Sequence, residues 1–240
     1  MSIAMQFAEP LVATRLVKRY KRFLADVIHP DKGEITVHCP NTGSMKNCWQ
    51  PGWTAWVSDS HNPKRKYRYS WVLSESPDGA LIGINTQLSN QIALQGIEAG
   101  KVRELSDFET IRSEVKYGKE NSRIDLLLSE PGGRQCFIEV KNVTLMEQPG
   151  CGFFPDAVSV RGQKHLRELI ECVKQGHRAV LFFLVQHSQI ETVSVARHID
   201  PDYAELFDQA IAAGVEVIAY DCAMSAQGIS LQKTLSVVNG

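Results

Sequence analysis

The hydrophobic pattern changes character part-way along the chain. Up to about residue 86, short apolar-rich segments with β-branched and aromatic residues predict strands at Leu11–Lys18, Arg22–Ile28, Glu34–Cys39, Thr54–Ser58, Arg68–Glu75 and Leu81–Thr86. Turn signals separate them: Asp31-Lys32-Gly33, Pro40-Asn41-Thr42-Gly43, Pro51-Gly52, Asn62-Pro63 and Pro77-Asp78-Gly79. Many short strands joined by tight turns favour a small closed sheet, and a five-stranded barrel of the oligonucleotide-binding (OB) type fits this length.

Beyond Ser89 the period lengthens. Ile92, Ala93 and Ile97 form one stripe and predict a helix over Asn90–Gly100. Three strands follow, Thr110–Tyr117, Ser122–Leu128 and Cys136–Val143, with turns at Gly118 and Pro131-Gly132-Gly133. The glycine- and proline-rich stretch from Met146 to Phe154 reads as a loop. A helix from Arg161 carries Leu166, Leu169, Ile170 and Val173 on one face and stops at Gly176. Arg178–Gln186 reads as a buried strand, Pro201–Ala213 as a helix, and Val215–Tyr220 and Ile229–Val238 as strands. A meander followed by helical crossovers predicts a mixed sheet with helices on its faces. The expected architecture is α+β, with an OB-like barrel over residues 1–86 and a mixed-sheet domain over residues 87–240.

Composition narrows the class. With 43% hydrophobic and 22% charged residues, the chain can bury a sizeable core and is not a disordered or collagen-like polymer. The longest apolar run, Ala179–Val185, is far too short to span a bilayer as a helix. Met1–Pro10 lacks the basic start and apolar stretch of a secretory signal. The six cysteines form no C-x-x-C pair, so free thiols in a reducing, cytoplasmic setting are expected, without a membrane partner.

The net charge of -1 conceals a division. Residues 1–70 hold 11 Lys and Arg against 5 Asp and Glu, whereas the rest holds 15 against 22. The basic end suits a polyanion. The acidic end needs local cations or a metal to approach one.

The sharpest chemical signal is Glu139-Val140-Lys141, within Gln135-Cys136-Phe137-Ile138-Glu139-Val140-Lys141-Asn142. Residues two apart on a strand share a face, so Glu139 and Lys141 project together while Ile138 and Val140 face a core. The preceding strand carries one acid, Asp125, among aliphatic residues. Pairing through the Pro131–Gly133 turn can bring Asp125 to Glu139. Two carboxylates and a lysine in an apolar setting are costly unless they bind something. Metal-assisted phosphodiester hydrolysis uses that trio: Asp125 and Glu139 hold Mg²⁺ or Mn²⁺, and Lys141 orients water and stabilises developing charge. A salt bridge at the sheet rim is the competing reading. Glu114 repeats the E-x-K spacing and is expected either near the site or paired across strands.

The helix opening Arg161-Gly162-Gln163-Lys164-His165 falls near the same strand ends. Gln163 and Lys164 are candidates for contact with a phosphate or the attacking water, with a solvated first turn of the helix as the competing reading. His165 is expected on the helix surface rather than as a metal ligand. Two basic clusters interleave with aromatic rings: Arg15, Lys18, Arg19, Lys21 and Arg22 around Tyr20 and Phe23, and Lys64, Arg65, Lys66 and Arg68 with Tyr67 and Tyr69; a solvated basic face is the competing reading. Such groups neutralise phosphates and stack on bases. Trp49, Trp53, Trp56 and Trp71 either line a sugar pocket or fill the barrel.

Several long segments resemble the bacterial sugar fermentation stimulation protein A family. They are Arg19-Tyr20-Lys21-Arg22-Phe23-Leu24-Ala25-Asp26, His38-Cys39-Pro40-Asn41-Thr42-Gly43, Ser113-Glu114-Val115-Lys116-Tyr117-Gly118, Phe154-Pro155-Asp156-Ala157-Val158 and Arg161-Gly162-Gln163-Lys164-His165-Leu166. The resemblance implies an N-terminal OB-like barrel and a C-terminal domain similar to PD-(D/E)xK nucleases. It implies sequence-nonspecific DNA binding, with RNA as an alternative, and a link to regulation of maltose metabolism. The nuclease motif falls on Asp125, Glu139 and Lys141. Many such nucleases add a glutamate on the helix before the meander, where the candidates here are Gln95 and Glu98. A glutamine in that role weakens a metal site and favours a non-catalytic DNA-binding regulator. No helix-turn-helix is recognisable, and the oligomeric state is left open, a homodimer included.

Overall fold

The computed structural model describes residues 5–118, 122–129 and 131–238. The first four residues of the Met1–Pro10 segment lie outside them. Two sheets organise the chain. Strands β1 (Met5–Gln6), β2 (Val12–Tyr20), β3 (Leu24–His29), β4 (Gly33–His38), β5 (Thr54–Asp59), β6 (Tyr69–Glu75) and β7 (Leu81–Gly83) come first. Helix α1 (Ser89–Glu98) leads into β8 (Thr110–Tyr117), β9 (Ser122–Ser129), β10 (Gln135–Val143), β11 (Leu145–Gln148) and β12 (Cys151–Phe154). Helix α2 (Val160–Lys174), β13 (Arg178–Val185), β14 (Thr192–Val195), α3 (Pro201–Ala213), β15 (Glu216–Ser225) and β16 (Gly228–Val238) complete the chain.

The first sheet runs β4-β3-β2-β5-β6-β7, and a parallel contact between His38 of β4 and Ser70 of β6 closes it. This is the OB-like barrel. Its interior is filled by inward residues of alternate positions, among them Leu16, Val27, Val37, Val57 and Trp71. Trp71 is fully buried, Trp49 and Trp53 pack against the same core, and the Trp56 indole donates to Glu75 Oε2 at 2.8 Å. The tryptophans therefore serve the barrel and its rim rather than converging on one sugar pocket.

The second sheet has ten strands, in the order β11-β12-β14-β16-β15-β13-β10-β9-β8, with β1 paired to β16. The expected antiparallel meander β8-β9-β10 is present, followed by parallel β13 and β15. Helix α1 covers one face with Leu126, Ile138 and Phe182, and α2 and α3 cover the other with Leu127, Phe137 and Phe183. The fold is the α+β arrangement of an OB-like barrel followed by a mixed-sheet domain.

Three local expectations differ. Met146–Phe154 is a hairpin, β11 and β12, rather than a loop. Its glycines hide the strand signal, yet Gly152 is what the strand needs: a Cβ there would lie 2.9 Å from Ile190 and 3.0 Å from Val143. Strand β14 is too short, at four residues, to show an alternation. Met5–Gln6 joins the second sheet through β16 rather than the barrel.

The two sheets are joined by hydrogen bonds. Gly83 N donates to Gln186 O at 2.8 Å, and Ser188 N to Leu81 O at 2.9 Å. A Cβ at Gly83 would meet Gln186 Oε1 at 2.6 Å, so glycine permits this approach. The barrel loop after β4 also crosses over: Ser44 Oγ donates to Asp156 Oδ2 at 2.8 Å, and Asn47 Nδ2 to Met146 O at 3.1 Å.

Candidate active site and nucleic-acid interface

The cleft forms where two strands part. β9 and β10 pair from Gln135 opposite Ser129 as far as Ile138 opposite Leu126. Beyond that point the ladder stops, and the carboxylate of Asp125 takes the place of a strand: its Oδ2 accepts from Val140 N at 2.8 Å. Glu139 and Lys141, on the α2 face of β10, flank the gap. Thr86, Ser89, Asn90, Asp125, Glu139, Lys141, Asn142, Arg161 and His165 are among the residues that line a cavity of about 220 Å³ there.

Electrostatics in the cleft are tense. Glu139 is 2% exposed. Its Oε1 accepts from Lys141 Nζ at 2.7 Å and pairs with His165 Nδ1, while its Oε2 is buried without a partner among the described residues. Burial raises its proton affinity, but Lys141 and His165 outweigh burial and hold it below the usual carboxylate range. Asp125 goes the other way: burial first, then the charge of Glu139, push its pKa up to about 6. A site that resists carrying two negative charges is a site that gains by taking up a cation.

The sequence-predicted trio Asp125, Glu139 and Lys141 thus meets in one cleft. Gln163 does not join it: its amide donates to Asp200 Oδ1 at 2.9 Å, tying the starts of α2 and α3 together. Lys164 is half-buried and is not among the lining residues. Gln95 and Glu98 also stand outside the lining, and α1 contributes Ser89 and Asn90 of its first turn. Asn90 Nδ2 donates to Asp125 Oδ1 at 2.8 Å and to Glu114 Oε1 at 3.3 Å. Glu114 is therefore near the site, reached through Asn90, in a left-handed backbone conformation at φ 54°.

His165 is the main correction. It is buried, with Nδ1 at 3.0 Å from Lys141 Nζ and Nε2 at 3.4 Å from Arg161 Nε. The signal was available: His165, Leu169 and Cys172 fall at i, i+4 and i+7, all on the buried face of α2. Asn90, Ala93 and Ile97 share a face of α1 at i, i+3 and i+7.

A metal fits this donor set. Asp125 and Glu139 offer carboxylate oxygens, and the partnerless Oε2 of Glu139 is a lone acceptor in need of a positive group. Among the described residues no three His, Cys, Asp or Glu side chains form a complete cage. Two carboxylates, with water and phosphate oxygens making up the rest, suit a hard, oxygen-seeking divalent cation better than zinc.

The barrel brings both basic clusters to one end. Leu24 pairs with His38 and His38 with Ser70. That sets the β2–β3 turn beside the β5–β6 loop. Arg65 Nη2 lies 3.4 Å from Ser70 Oγ, and burial followed by the Arg65 charge pushes the His38 pKa down. Lys21, Arg22, Lys64, Arg65 and Lys66 are exposed there. Arg19 leaves this set. Its Nη2 donates to the carbonyls of Arg22, Asn41 and Gly43 at 2.8, 2.9 and 3.1 Å, so it is a brace for the loop after β4. That loop leads to the cleft, since Thr86 Oγ1 donates to Pro40 O at 3.1 Å.

The comparisons with known proteins follow this division. Residues 17–84 match the family model described as SfsA N-terminal OB domain. Residues 87–228 match the one described as Sugar fermentation stimulation protein RE domain, over more than half of the chain. The chain belongs to the sugar fermentation stimulation protein family. A family member from Shewanella loihica is 58% identical over 97% of this chain and 99% of its own length. One from Shewanella denitrificans is 56% identical over 98% and 100%. Both are described as sugar fermentation stimulation protein homologs. Among solved structures, that of Pyrococcus furiosus SfsA in complex with Ca²⁺ matches with a TM-score of 0.87 at 28% identity, covering 99% of each chain. Among the described residues, no helix is long and apolar enough to cross a membrane.

Proposed function

We propose that this family member binds DNA without sequence preference and hydrolyses phosphodiester bonds at a divalent-cation site formed by Asp125 and Glu139. The observation that carries the reading is a pair of carboxylates, buried Glu139 and half-buried Asp125, beside Lys141 at the point where β9 and β10 separate. Nothing in a folding role requires Asp125 to sit against Glu139 with its pKa raised to about 6. The Ca²⁺ complex of the Pyrococcus furiosus relative supports a divalent cation in this chain also. Mg²⁺ is the catalytic choice, because it keeps waters and shares phosphate oxygens. When bound, such an ion lowers the pKa of a water and offsets charge on the phosphate.

The chain's own residues divide the remaining work. Lys141 directs its ammonium into the cleft and stabilises the developing charge on the scissile phosphate. His165 holds Lys141 and Glu139 in place, and Arg161 at the rim meets the entering backbone. Lys21, Arg22, Lys64, Arg65 and Lys66 form a sequence-blind phosphate surface on the barrel. Free cysteines accord with a cytoplasmic setting. The tie to sugar metabolism rests on the family name alone.

One observation favours a second reading, a non-catalytic DNA-binding regulator. Glu139 is already paired with Lys141 and His165, and α1 offers the neutral Asn90 rather than an acid. A cleavage assay on labelled single- and double-stranded DNA, with Mg²⁺, Mn²⁺ or EDTA, separates the two. The expected result is metal-dependent cutting that falls by about 100-fold or more in Lys141→Ala, with binding retained. DNA binding that survives EDTA, with no cutting of any substrate by the wild type, gives the regulator instead.

A further inference from the structure

Val158 and Val160 are 68% and 70% exposed, far more than Phe23 at 44%, Ile211 at 45% or Val238 at 39%. Exposed valines at a loop tip are common and need no explanation when the loop is loose. This loop is not loose. Pro155 at its start is buried, and Asp156 accepts from Ser44 Oγ of the barrel loop. Ser159 between the valines donates its N–H to Asp200 Oδ2 at 2.8 Å, and its hydroxyl accepts from Gly162 N at 3.0 Å as the cap of α2. Asp200 is 1% exposed and caps α3 through Tyr203 N at 3.0 Å. The segment is fixed from both domains while its apolar side chains stand in water.

Its position supplies the partner. The residue after Val160 is Arg161, which lines the cleft. On the other side, Ser44 leads back through Gly43 and Asn41 to Arg19, and so to the turn that carries Lys21, Arg22 and the exposed Phe23. Lys21, Arg22 and Phe23 at the barrel tip and Val158, Val160 and Arg161 at the cleft thus stand at the two ends of one path, with the Asp156 carboxylate bonded to Ser44 between them. A second copy of the chain would be poorly served by such a cationic border, whereas a nucleic-acid strand presents phosphates and apolar base faces together.

We propose that Ala157–Val160 is a rigid wedge that packs against the bases of the bound DNA strand beside the cleft and holds them out of stack. This rests on the DNA-binding reading and adds to it a contact with bases rather than phosphates. A wedge of this kind gives no sequence code, because every base has an apolar face. It biases the site toward single-stranded or frayed DNA, where unstacking is already done.

The test uses the full chain, oligonucleotides carrying 2-aminopurine, and Val158→Ser/Val160→Ser. Both positions are exposed, so the variant is expected to melt with the wild type. Wild type is expected to raise 2-aminopurine fluorescence on binding. The variant is expected to lose most of that rise and to bind about tenfold more weakly, with an unchanged dependence on salt. Lys64→Glu/Lys66→Glu serves as the control for phosphate contact and should flatten the salt dependence. An unchanged fluorescence rise and affinity in the valine variant overturns the wedge while leaving DNA binding standing. A change in sedimentation from dimer to monomer also overturns it, by making the patch a self-association face. Failure of the wild type to bind any DNA removes both readings together.

Discussion

At the scale of single residues, strand alternation made Asp125, Glu139 and Lys141 legible, because only one acid interrupts Ile124–Leu128 and because positions 139 and 141 must share a face. His165 shares its helical spacing with Leu169 and Cys172, but the polar opening of α2 looks solvated until a partner strand is placed beneath it. Gln163 belongs to the same polar opening, and its amide turns to Asp200 rather than to the cleft. The placement of His165 makes a prediction. Removing its ring leaves Glu139 buried with Lys141 as its remaining partner and its Oε2 still unpaired. His165→Ala is expected to lose about 1–3 kcal/mol of stability. It is also expected to cut more slowly than His165→Asn, which keeps a polar group near the Nδ1 position. Thermal unfolding and single-turnover cleavage of the three proteins check this. Equal rates for Ala and Asn variants would reduce His165 to a filler of space.

At the scale of elements, the barrel strands and three helices follow from period and turn chemistry, whereas the β11–β12 hairpin did not. Glycine in a strand is read as a break unless the close neighbours that demand it, Ile190 and Val143, are known. The loop between β4 and β5 carries the same lesson. Its basic brace, Arg19, looks from sequence like any other cation of the cluster. In the fold it binds three carbonyls, and its Nε is buried without a partner among the described residues. Arg19→Ala is therefore expected to destabilise by about 1–3 kcal/mol and to speed amide exchange over residues 41–44. The slope of log affinity against log salt should stay near that of the wild type, because no phosphate contact is removed. Lys21→Ala should do the reverse, leaving stability alone and reducing the slope by about one. If Arg19→Ala flattens the salt dependence while exchange is unaltered, the brace assignment fails.

At the scale of the whole molecule, the change in charge along the sequence pointed to two units, but not to how they meet. Contacts far apart in sequence decide that, and no local pattern encodes them: Gly83 against Gln186, Ser44 against Asp156, and Lys46 against Glu147. The last joins the basic barrel to the acidic sheet by direct ion pairing. The hydrogen bond from Lys46 is the largest influence on Glu147 and, with His198, outweighs burial to lower its pKa from the ordinary value of 4.5. A carboxylate with a depressed folded pKa contributes stability that is present in full above its unfolded pKa and is lost as pH falls through the folded one. The junction is thus expected to weaken progressively below about pH 4.5, and not on the alkaline side. Lys46 is largely exposed and the pair is open to solvent screening, so its contribution at neutral pH and low salt is about 0.5 kcal/mol, and less in salt. Lys46→Ala should melt lower than the wild type at pH 7, with the two melting curves converging as the pH drops progressively below 4.5. Raising the salt at pH 7 should bring them together as well. A gap that persists at low pH would mean that the lysine stem packs the junction, and that its charge contributes little to holding barrel and sheet together.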